Sequence, residues 1–94
     1  MLLAFNKHNI IKMEKVEKLD EFEILKTNIG SELKKLRVNA GYKSYEVFAW
    51  DNKISRIQYW KMEKGTNYTL KSLKRVLDIH DMRMDTFFNF LFRI

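Results

Sequence analysis

The stretch Phe-Ala-Trp-Asp-Asn-Lys-Ile-Ser-Arg-Ile-Gln-Tyr-Trp-Lys-Met-Glu-Lys-Gly, from Phe48 to Gly65, constrains this chain more than any other, because it reads as two short helices around a tight turn. Ser55 can accept the free amides of a helix that begins at Arg56, and Gly65 can take the left-handed conformation that ends it. Residues set roughly 100° apart put Tyr59 and Met62 on one face of that helix. Ile57, Trp60, Lys61 and Lys64 fall on the other, with Arg56 at the margin. Cations mixed with an outward isoleucine and tryptophan do not suit a merely solvated face. They suit a surface that meets phosphates and base edges.

The residues around this stretch extend the pattern. Ile29-Gly30, Leu33, Leu36 and Arg37 come first, then Ala40-Gly41-Tyr42, Phe48-Ala49 and Ile54-Ser55. Glu63-Lys64-Gly65, Leu70, Leu73, Met82-Arg83-Met84-Asp85 and Phe87-Phe88 complete it. Taken together, residues 29 to 88 resemble the helix-turn-helix domains of the Cro and Xre type, the lambda-repressor-like family of phage repressors and small bacterial regulators. Two positions depart from the family pattern. Lys53 stands where the turn usually has Gly, and Tyr59 where the recognition helix usually buries Ile or Val.

The resemblance implies an all-α fold: a five-helix lambda-repressor-like helix-turn-helix domain with an additional N-terminal helix. Residues 1–28 are then a partly helical extension and 29–94 the DNA-binding domain. It also assigns roles. Arg56, Ile57 and Lys61 match the positions that enter the major groove, where Arg56 and Lys61 suit guanine O6 and N7 and Ile57 suits a thymine methyl. Arg37 and Glu63 match a pair that ties the first helix to the end of the recognition helix, which would also hold the guanidinium near the DNA backbone. Lys43, with the free amides of Ser44 and Tyr45 at a helix start, suits phosphate, and so do Lys64, Thr66 and Asn67.

Charge supports a polyanionic partner. The chain carries 18 Lys and Arg against 12 Asp and Glu among 94 residues, a net charge of +6. Residues 1–28 are balanced at five of each, so the whole excess lies on residues 29–94. A cationic stripe steers a polyanion and gains affinity by releasing counterions. Membrane binding would instead want a broad apolar face with cationic flanks, and no segment approaches a span. The apolar run Met-Leu-Leu-Ala-Phe at the start is too short for a signal peptide. Met13 opens Met-Glu-Lys-Val-Glu-Lys, which reads as a natural start, with the preceding residues as an upstream extension. The absence of Cys fits a reducing cytoplasm and excludes disulfides and thiolate metal sites.

Apolar residues at Met13, Val16, Leu19, Phe22 and Leu25, among alternating Glu and Lys, predict an N-terminal helix to Lys26. Thr27, Asn28 and Gly30 are positioned to break it from a helix over 29–39, although members of the family that the chain resembles also run such segments together. A second helix follows Ser44 from Tyr45 to Asn52, a fourth runs from Leu70 to Ile79 after Thr69, and a last one runs from Met84 to Phe92. That last helix carries Phe87, Phe88, Phe90, Leu91 and Phe92, more large apolar side chains than so short a helix can bury in one small domain. The surplus predicts a homodimer, which also suits two half-sites about one DNA turn apart; the alternative is an N-terminal helix that folds back over it within one chain.

No enzyme chemistry is expected. His8 and His80 lie far apart with no ligand at metal-binding spacing, and Gly30, Gly41 and Gly65 form no phosphate loop. Asp20, Glu21 and Glu23 are better explained as a solvated helix face than as an acid and base pair. No cofactor is implied. The reading is a sequence-specific transcriptional regulator that binds double-stranded DNA through helix 56–64, as a dimer on an inverted repeat. Two alternatives stand beside it: an antitoxin that binds a toxin protein and represses its own operon, and a protein-interaction module that has lost DNA binding.

Overall fold

Five helices follow one another in the computed structural model, which describes residues 20–93: α1 (Glu21–Asn39), α2 (Tyr45–Asp51), α3 (Arg56–Glu63), α4 (Leu70–Ile79) and α5 (Met84–Leu91). The described residues contain no strand, as an all-α chain requires. The expected start at Met13 and the helical spacing before Asp20 lie outside the described residues. No described helix is long and apolar enough to cross a membrane.

The first helix corrects one expectation. The Asp20 carboxylate caps it by accepting the Phe22 amide at 2.8 Å, and Glu21 and Glu23 complement the positive end of its dipole. It then runs unbroken through Thr27, Asn28 and Gly30 to Asn39, so no helix begins at Ile29 and the boundary drawn between 28 and 29 falls inside α1. Gly30 is a packing residue and not a breaker. A Cβ there would collide with the backbone carbonyl of Glu63 and lie 2.9 Å from the Met62 carbonyl oxygen. Glycine costs a helix about 1 kcal/mol relative to alanine, and the close approach of α1 to α3 outweighs it.

Short polar side chains start the next three helices. Ser44 accepts the amides of Glu46 and Val47, Ser55 that of Gln58, and Thr69 that of Ser72. Four helices end alike. The amide two residues past the cap reaches back to a carbonyl of the last turn, as in Tyr42 to Arg37, Ile54 to Ala49, Thr66 to Lys61 and Met82 to Leu77. The residue in between takes a positive φ: 98° at Gly41, 58° at Lys53, 86° at Gly65 and 55° at Asp81. Two of these four are therefore not glycine, and Lys53 is one of them.

Every helix contributes to one core. Ile29 and Leu33 of α1 meet Phe48 and Ala49 of α2, Tyr59 and Met62 of α3, Leu73, Val76 and Leu77 of α4, and Phe87 of α5. Each large side chain so buried contributes roughly 1.5 to 3 kcal/mol relative to exposure. Phe48 is the aromatic centre: Tyr42 meets it edge-on at 5.2 Å, Tyr59 lies 4.8 Å away, and His80 stacks on it at 5.3 Å. On α5 and its C-terminal cap Phe92, Phe87 is buried, Phe88 and Leu91 are half-buried, and Phe90 and Phe92 remain more than half exposed.

Candidate nucleic-acid interface

The helix α3 divides as its spacing predicts. Tyr59 and Met62 are buried, while Ile57 is 60% exposed, Trp60 41%, and Arg56, Lys61 and Lys64 all face solvent. The Lys64 ammonium lies over the Trp60 ring, 5.7 Å from its centroid, which holds that charge on the outer face.

Both ends of this helix are anchored. At the far end, Glu63 takes Arg37 through two hydrogen bonds, Nε to Oε2 at 2.7 Å and Nη2 to Oε1 at 3.1 Å. Arg37 Nη1 donates to the carbonyls of Tyr42 and Lys43, at 2.9 and 2.7 Å. One guanidinium thus binds α1, the approach to α2 and the end of α3 together. With four of its five N–H donors engaged and only 4% of its surface exposed, Arg37 serves as an internal tie between elements. The hydrogen bonds it donates to Glu63 raise its pKa above the ordinary arginine value despite burial. Beside the pair, the Tyr59 hydroxyl is buried without a hydrogen-bond partner among the described residues, and burial keeps it protonated well above the usual phenol range.

At the near end, Arg56 Nη1 donates to Glu46 Oε2 at 3.0 Å, joining the first turn of α3 to the first turn of α2. Helix α4 braces the same region from its other side. Arg75 Nη2 donates to the Lys53 carbonyl at 2.7 Å, and Gln58 Nε2 to Ser72 Oγ at 3.1 Å. The left-handed turn at Lys53 is therefore pinned by a side chain 22 residues away.

The expected phosphate-binding residues separate. Lys43, Lys64 and Asn67 are exposed. The Ser44 hydroxyl takes the amides of Glu46 and Val47, while the amides of Ser44 and Tyr45 donate to no protein acceptor among the described residues. Thr66 does not belong with them, because its hydroxyl and its amide both donate to the Lys61 carbonyl, at 3.0 and 3.1 Å. It is a cap of α3 instead.

Four residues here escape sequence reasoning: Glu46, Gln58, Ser72 and Arg75. The ten positions between Glu46 and Arg56 span a turn, so no periodicity relates them. Trp50 is 84% exposed beside Val47. No group of three or more His, Asp or Glu that could hold a metal is present among the described residues. Compared with known proteins, the chain matches no family model, no curated protein and no solved structure.

Proposed function

We propose that this chain is a sequence-specific DNA-binding transcriptional regulator with a lambda-repressor-like helix-turn-helix, formed by α2, the turn 52–55 and α3. One observation carries the reading. An eight-residue helix held at both ends turns Arg56, Ile57, Lys61 and Lys64 to solvent, where a major groove offers acceptors, thymine methyls and flanking phosphates. Arg56, Ile57 and Lys61 read base edges, while Lys64, Lys43, Asn67 and the amides of Ser44 and Tyr45 hold phosphates and set the register. The exposed Phe90 and Phe92 favour a homodimer, which would place two copies of α3 on an inverted repeat.

Selection of bound sites from a randomised duplex pool tests this directly. The expected product is a symmetric consensus with half-sites about one helical turn apart, bound with a steep dependence on salt. A second reading, a protein-interaction module on the same fold, has the exposed Trp50 and Val47 in its favour. Binding to duplex DNA that is absent or insensitive to salt would decide for that module.

A further inference from the structure

We propose that Glu46 is a specificity-determining residue, which turns Arg56 from a general phosphate-binding cation into a reader of guanine. The inference rests on the assignment of α3 as the DNA-reading helix.

The Glu46 and Arg56 contact stands apart from the other exposed ion pairs of the described residues. Lys26 with Glu23, Lys35 with Glu32, Lys74 with Asp78 and Arg83 with Asp85 are each two to four positions apart, as local geometry brings together on any helix or helix start. Glu46 and Arg56 belong to different helices and meet because the turn between them folds back. An acidic residue in the first turn of α2 complements the helix dipole, which accounts for a carboxylate at position 46. It does not account for the arginine that reaches it at 3.0 Å.

The surroundings give the contact its meaning. Lys43, Arg56, Lys61 and Lys64 are exposed cations of α2, α3 and their flanks, and the acid at the end of α3, Glu63, is buried and neutralised by Arg37. Glu46 is thus an exposed anion set among cations that would face DNA. Its carboxylate neutralises the Arg56 charge, which is what attracts a phosphate. It engages only one of the N–H groups of the guanidinium. The others stay available, and guanine O6 and N7 are neutral acceptors that ask for donors and not for charge. Held by Glu46, the planar fork also keeps its orientation, so less freedom is lost when it meets a base. The pair therefore lowers affinity for DNA in general more than affinity for a site with guanine in the right place.

The test uses the full chain and two probes: the duplex that the wild-type protein recovers from a randomised pool, and random-sequence duplex of equal length. Glu46→Gln is expected to raise affinity for random duplex on the order of threefold to tenfold at low salt and to steepen its salt slope by about one, because Arg56 becomes free to displace a counterion. Affinity for the recovered duplex should change less, so the preference narrows, and guanine should fade at one position of a new selection. In an Arg56→Ala background the same substitution should leave slope and preference unchanged. Equal effects in both backgrounds would overturn the proposal, since Glu46 would then act through its charge alone, and so would an unchanged preference in Glu46→Gln. If the wild-type chain recovers no preferred duplex, the assignment of α3 itself fails, a result distinct from either.

Discussion

Arg37 and Glu63, on helices α1 and α3, form a buried bidentate ion pair whose guanidinium also holds the carbonyls of Tyr42 and Lys43. Truncating one partner of such a pair leaves the other charge without compensation in a site closed to water. Glu63→Ala should therefore destabilise the protein by roughly 3 to 5 kcal/mol, read as a drop in the midpoint of denaturant unfolding. A loss of less than about 1 kcal/mol would mean that the two carbonyls satisfy Arg37 by themselves.

Gly30 makes a prediction of the opposite kind, since there the risk lies in adding atoms. Its missing Cβ lets α1 touch the backbone of Met62 and Glu63, and neither carbonyl can swing aside as a side chain would. Gly30→Ala removes an unfavourable helix residue yet should still destabilise by about 1 to 3 kcal/mol, through separation of α1 from α3. A stabilised variant would show that α1 can shift without loss.

Lys53 sits at φ 58° in the turn between α2 and α3, a conformation that costs a non-glycine residue about 1 kcal/mol. The brace from Arg75 reaches its carbonyl and not its side chain, so it survives substitution. Lys53→Gly should raise thermal stability by up to about 1 kcal/mol while leaving the fold intact, and Lys53→Val should lower it. Thermal melts of the two variants, run beside the parent, check both signs.

On the proposed function, base reading and phosphate grip should part along α3. Arg56→Ala should cost about 1 to 3 kcal/mol at the preferred duplex and relax selection at one base pair. Lys64→Ala should weaken all sequences alike and lower the salt slope by about one. Titrations of preferred and scrambled duplex at several salt concentrations separate the two, and equal loss on both duplexes for Arg56→Ala would remove it from base readout.

His80 ends α4 stacked on Phe48, with Nε2 buried and without a hydrogen-bond partner among the described residues. Burial lowers its pKa below the ordinary 6.5. The unfolded chain then binds the proton before the folded one does, so stability is full above the ordinary value and is lost as pH falls through it toward the lower folded value. The melting temperature should decline as pH falls below about 6.5, ahead of the carboxylates, and His80→Phe should flatten that decline.

Local chemistry was enough to place most of the helices. Ser44, Ser55 and Thr69 announce helix starts because a short oxygen-bearing side chain satisfies amides that nothing else nearby can, and Gly65 announces an end because it adopts positive φ freely. The buried Tyr59 and Met62 and the outward Arg56, Ile57, Lys61 and Lys64 follow from helical spacing alone. What spacing cannot carry is contact between elements. Gly30 looks like a breaker until α3 is laid against it, and Thr66 like a phosphate ligand until the Lys61 carbonyl takes its donors. Glu46, Ser72 and Arg75 acquire their roles from residues that only folding brings within 3.1 Å. Caps and amphipathic faces act over a few residues and are written in sequence order, whereas the packing of α1 on α3 and the bracing of the turn depend on distances that no sequence interval encodes.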